Sequence, residues 1–233
     1  MPAITVDDIT VLPRIPDPDP LAARQRPVRT VTSAPRGFEG EGFPVRRAFA
    51  ALTVALAIEG ETIKVFCVND GPAIDVEVRC GLVALAGGYP VDKRKHLTAG
   101  ANASTLAAEL PAEKWRALGE RSHAAFALLY RDGREVARDT LFLPLFREME
   151  WPEARVSARR SGAKAVFASD TFAWRVCLDL DGERRLPDNF FDLLPGIPYE
   201  VEWPADLGEP RVLRTANREV RGGPAAQGSS TSL

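Results

Sequence analysis

Asp188, Asp192, Glu200 and Glu202 are the nearest approach to a catalytic carboxylate cluster, and carboxylates are what glycoside cleavage uses. That chemistry needs two of them about 5–9.5 Å apart across a sugar. Here Asp188 and Asp192 sit among turn-forming residues, while Glu200 and Glu202 alternate with Tyr199, Val201 and Trp203. The pattern predicts turn formers and a solvated strand face, not an acid–base pair. His96 and His123 each stand without a second His or Cys at ligand spacing, whereas zinc takes three or four converging ligands. Asp179-Leu-Asp-Gly182 copies part of a calcium loop, but Cys177 stands where the first Asp would be and Asp188 where the closing Glu would be. It reads as a hairpin turn. The sequence has no G-x-S-x-G elbow and no glycine-rich phosphate loop. Asn102-Ala-Ser104 spells a glycosylation sequon, which matters only on a secretory route. No catalytic, cofactor-binding or metal-binding residue is assigned, and no cofactor is expected.

The remaining reactive or aromatic groups have structural readings. Cys67, Cys80 and Cys177 each lie in an apolar-periodic run, which predicts buried thiols. Trp174 and Trp203 fall in an inward register. Trp115 and Trp151 are the two tryptophans left over on which a sugar ring could stack weakly.

The elements that would position these residues have a period of two. Val76, Val78, Cys80 and Leu82 alternate with Asp75, Glu77, Arg79 and Gly81, and Phe172 to Leu180 alternates in the same way. Each run has one apolar face, as a half-buried antiparallel strand requires. Glu59-Gly60-Glu61, Asp132-Gly133 and Asp181-Gly182 supply hairpin turns, and Asp70-Gly71-Pro72 a wider one. One short helix is expected at Ala112–Leu118, after Pro111. Without βαβ alternation, a nucleotide-binding sheet or a (β/α) barrel is excluded.

The expected fold is all-β: two tandem immunoglobulin-like sandwiches. About seven strands precede Trp151-Pro152, placing the first sandwich at 45–150. Runs at 155–159, 163–168, 171–180, 199–203 and 211–215 place a smaller one at 151–217. Residues 1–44 hold eight of the nineteen prolines and read as a disordered Pro-rich arm, and 218–233 as a flexible tail.

Leu186-Pro-Asp-Asn-Phe-Phe-Asp-Leu-Leu-Pro-Gly196 resembles the signature of the last domain of family 2 β-mannosidases. Val45-Arg-Arg-Ala-Phe49 and its apolar continuation, Val68-Asn69-Asp70, and Ala101-Asn-Ala-Ser-Thr105 are similar to stretches of the preceding domain of that family, in the same order. The resemblance spans roughly 45–217 and implies C-terminal immunoglobulin-like sandwiches, with the family's catalytic barrel and its two glutamates absent from this chain. Read from its own residues, the signature is a corner: Asp188-Asn189 and Pro195-Gly196 turn, and Phe190, Phe191, Leu193 and Leu194 plug the core. Phe191 is the expected core member, because Leu193 shares its parity while Asp192 interrupts the other side.

The resemblance therefore implies a non-catalytic accessory region of a β-mannosidase-like glycoside hydrolase. It would support or extend a sugar cleft built by a barrel in cis or in trans. A free-standing carbohydrate-binding module is the alternative. A net charge of −2 provides no footprint for nucleic acid or an acidic membrane. The longest apolar stretch, Ala48–Ile58, is shorter than the ~20 residues a span requires. Asp7 and Asp8 occupy the region where a signal peptide would be apolar, so a cytoplasmic location is expected.

Overall fold

The computed structural model describes residues 42–180 and 184–221. The expected arm up to residue 41, the tail after 221 and the Asp181-Gly182 turn lie outside the described residues. Seven strands come first: β1 (Leu52–Glu59), β2 (Thr62–Asn69), β3 (Ile74–Ala84), β4 (Val91–Ala99), β5 (Ala103–Pro111), β6 (His123–Arg131) and β7 (Arg134–Leu141). They form two antiparallel sheets, ordered β1-β2-β5 and β4-β3-β6-β7. Val54, Val65, Cys67, Val76, Val78, Cys80 and Leu129 pack between them. Trp115, on the expected helix Ala112–Leu118, plugs one end beside Ile63, Leu82 and Leu110.

Side-chain clips help close both open edges of this sandwich. On one side the Leu56 amide donates to Asp139 Oδ2 at 2.7 Å, and on the other Lys95 Nζ donates to the Ala107 carbonyl at 3.0 Å. Lys93 and Lys95 stand opposite Cys80 and Val78, at inward register positions of an edge strand, an arrangement that discourages edge-to-edge pairing. Gly81 admits β4 at its start, since a Cβ there would lie 1.8 Å from the Val91 carbonyl oxygen.

Five shorter strands follow: β8 (Ser157–Ser161), β9 (Lys164–Ala168), β10 (Ala173–Val176), β11 (Phe191–Leu193) and β12 (Tyr199–Glu202). β12-β9-β8 and β10-β11 form separate antiparallel sheets. Ala165, Phe167, Ala173, Val176, Leu178, Phe191, Leu193, Val201 and Trp203 form their core.

Several details depart from expectation. Phe191–Leu193 is a strand, whereas 211–215 makes only an isolated bridge, Cys177 to Arg214. Among the described residues are two more α-helices, α1 (Gly42–Ala48) and α3 (Ala216–Arg221), with α2 the expected Ala112–Leu118, and two short 3-10 turns at Phe146–Glu148 and Ala205–Leu207. α1 and α3 cross the boundaries drawn for arm and tail. Both are short enough that tertiary contacts, not periodicity, hold them. The alternation from Phe172 to Leu180 also breaks. Arg175 has φ +50 and the β10–β11 register shifts between Ala173 and Val176. Ala173 thus faces the second core with Val176, while Phe172 and Trp174 face the first sandwich.

That break creates the junction. Ala124, Phe126 and Leu128 on the outer face of β6 pack with Met149, Trp151, Phe172, Trp174 and Leu194. β6 is buried on both faces, which explains its continuous apolar run. Trp151 stacks on Trp174 with centroids 4.8 Å apart and planes 10° apart.

Candidate functional site

The Leu186–Gly196 segment holds a dense polar network, and it sits where β11, β12, β7 and α1 meet. Asp188 and Asn189, expected as turn formers, are buried at 6% and 2% exposure. Burying such groups is tolerable only when they are hydrogen-bonded. Asp188 Oδ1 accepts from its neighbour's amide, Asn189 N, at 2.8 Å and pairs with Arg47, while Oδ2 accepts from the Tyr199 hydroxyl at 2.7 Å. Asn189 Oδ1 accepts from the Leu178 amide at 2.8 Å, and its Nδ2 donates to the Asp179 carbonyl at 2.6 Å.

Asp192 serves a second seam. Its Oδ1 accepts from the Arg175 amide at 2.8 Å, which fastens the left-handed residue that breaks β10. Its Oδ2 accepts from Thr140 Oγ1 at 2.9 Å, tying the motif to β7. Arg138, also on β7, donates to the Asp192 carbonyl at 2.8 Å and to both Glu135 carboxylate oxygens at 2.6 and 2.9 Å. Its guanidinium lies 4.2 Å from the Tyr199 ring centroid. Burial works against the Arg138 charge, but Glu135, with smaller help from Tyr199 and Asp192, outweighs it and raises the pKa. Burial first, and the Asp188 carboxylate next, raise the Tyr199 phenol well above its usual range.

These bonds decide what the carboxylates can do. Each Asp188 and Asp192 oxygen is engaged by a donor of the fold, so this pair acts as structural latches. Glu200 pairs with Lys164 at 2.6 Å on the exposed face of β12, and Glu202 is exposed beside it, as expected. Phe191 is 1% exposed, against Phe167 and Tyr199 with centroids 5.1 and 4.8 Å away, as its parity predicts. Phe190, at φ +53, is also buried.

The other candidates resolve separately. Trp115 and Trp151, on which a weak sugar contact was an open alternative, are 0% and 5% exposed. Their indole nitrogens donate inward, to the His123 and Phe146 carbonyls at 3.1 and 2.7 Å. Trp174 and Trp203 are buried as expected, with Trp174 at the junction instead of in the second core. Cys67, Cys80 and Cys177 are buried, and burial pushes the Cys67 thiol up to about 11. His96 is exposed near Glu77, while the His123 ring contacts Ser122 and the Gly119 carbonyl. Asp179 Oδ2 accepts from the Arg184 amide at 2.9 Å, and among the described residues no group of three or more His, Cys, Asp or Glu could hold a metal. Asn102 of the sequon stands in an exposed turn at φ +46.

Sequence reading missed Arg47, Arg138, Thr140 and Asn217. Asn217, on α3, accepts from the Trp174 amide at 2.6 Å and donates to the Phe172 carbonyl at 2.9 Å. Its only signal was a polar residue beside a bridge-forming run.

Residues 148–219 match the Ig_mannosidase family model, an Ig-fold domain. Among solved structures, the chain resembles the β-D-mannosidase of Dictyoglomus thermophilum, with 23% identity and a TM-score of 0.64. That likeness covers 78% of this chain and 22% of the enzyme, so the chain spans about a fifth of its length. An exo-chitosanase of Amycolatopsis orientalis is more distant, with 18% identity, a TM-score of 0.49, and 73% of this chain and 26% of that one covered. No curated protein matches the sequence. The second sandwich is thus an Ig-fold domain of the β-mannosidase-like type.

Proposed function

We propose that this chain is a non-catalytic accessory β-sandwich region of a β-mannosidase-like glycoside hydrolase. It braces or extends a sugar cleft whose catalytic barrel lies in cis or in a partner chain. The observation carrying this reading is the match of 148–219 to the mannosidase-type Ig-fold domain, in a segment whose Asp188 and Asp192 carboxylates are spent on latching the fold. A free-standing carbohydrate-binding module is disfavoured, since all four tryptophans turn their faces into cores. The burial of all three cysteines supports a reducing, cytoplasmic setting.

Co-expression with a barrel-type glycosidase from the same genome tests the accessory role. The two chains are expected to co-purify, with the barrel's kcat/KM for an aryl-β-mannoside increased by the added sandwiches. Separate elution with unchanged kcat/KM for every such barrel, including one encoded in frame upstream, would refute it.

A further inference from the structure

α1 precedes the first sandwich in sequence yet fastens to the second. Phe43 packs against the second core, and the Arg46 guanidinium sits 5.1 Å over its ring and donates to the Pro187 carbonyl. Arg47 pairs with Asp188 and donates to the Asn189 and Phe190 carbonyls at 3.0 and 2.9 Å. One turn of chain therefore aims a carboxylate and three backbone carbonyls at two guanidinium groups. A guanidinium has five donors in a rigid fork, which matches several acceptors at once in a way an ammonium does not.

The acceptors do not depend on α1 for their positions. Asp188 is held from behind by the Tyr199 hydroxyl and the Asn189 amide. Asn189 is pinned by Leu178 and Asp179, and the left-handed φ of Phe190 directs that part of the turn. None of the α1 residues is fully buried, and Val45 is 38% exposed. A seven-residue helix does not persist alone in water.

We infer that the Pro187–Phe190 turn is a preformed guanidinium-binding cradle, and that α1 is a strap docked in it through Arg46 and Arg47, able to leave without unfolding either sandwich. The cradle's ligand class is an arginine-bearing segment, and α1 is its occupant in cis. α1 thus lies against the second sandwich, although β1 of the first sandwich begins only at Leu52.

Hydrogen exchange on the full chain, read by mass spectrometry, tests it. Arg47→Ala should speed exchange of the 45–51 amides at least tenfold and leave β2, β3, β6 and β9 at wild-type rates. Arg47→Lys should give most of that increase, because an ammonium cannot reach the carboxylate and both carbonyls together. Unchanged exchange at 45–51 in Arg47→Ala would overturn the inference. So would loosening of either sandwich together with α1, full protection in Arg47→Lys, or wild-type 45–51 amides exchanging at unstructured-chain rates.

Discussion

Removing the Phe191 side chain should unfold the second sandwich and spare the first. The ring is 1% exposed and sits between Phe167 and Tyr199, whose centroids are 5.1 and 4.8 Å away. Phe→Ala at such a site costs about 3–5 kcal/mol, and the cost depends on how far the walls relax. Relaxation is restricted here: the Tyr199 hydroxyl is tied to buried Asp188, and Phe167 lies on the central strand of its sheet. The upper half of that range is therefore expected. A unit of this size has a total stability of roughly 4–10 kcal/mol at ~0.05–0.15 kcal/mol per residue. Phe191→Ala removes a large part of it. Urea melts followed by hydrogen exchange should show β9, β11 and β12 opening at a much lower midpoint than in wild type, with β2, β3 and β6 shifted little. A loss below about 1 kcal/mol would refute the packing argument, since a buried aromatic in a rigid cage cannot be that cheap to delete. A single shared transition for all these strands would refute the independence of the two cores.

Further outcomes follow from the same contacts. Asp192→Asn should cost about 1 kcal/mol or less, because the amide oxygen can keep the Arg175 bond while its NH2 donates to Thr140; Asp192→Ala should cost about 2–4 kcal/mol in a denaturant melt, losing both. Tyr89 and Tyr199 have phenol pKa values raised in the folded state, chiefly by burial. Their contribution to stability is therefore fully present below about pH 10, the unfolded phenol value, and is lost as pH rises beyond it; a Tm-versus-pH series should be flat in this respect until then and fall above. An aromatic disulfide reagent at pH 8 should find no reactive thiol in the native chain and three after unfolding.

The strands were legible because one apolar face leaves a period of two, and β1 to β7 needed little else. Phe191 was legible for the same reason, since Leu193 repeats its side. The junction was not. Its key event is the left-handed Arg175, which reverses the parity of β10, and nothing in an arginine's type announces a positive φ. The polar latches were hidden by distance, because Arg47 and Asp188 are 141 residues apart. Asp188 taken alone looks like any turn-forming acid. Trp115 and Trp151 carry no periodic signal of burial, since neither lies in an alternating strand; one plugs the sandwich end from α2 and the other stacks at the junction. α1 and α3 escaped notice because seven and six residues are too few for a helical period to register.

The central claim, that this chain supplies structure and no glycosidic chemistry, meets its most direct test in a chromogenic aryl-β-mannoside assay of the purified chain across pH 4–8. The account predicts release at the buffer rate, in wild type and in Asp188→Asn and Asp192→Asn alike. Saturable turnover by the chain alone, abolished by replacing one of its own carboxylates, would contradict it.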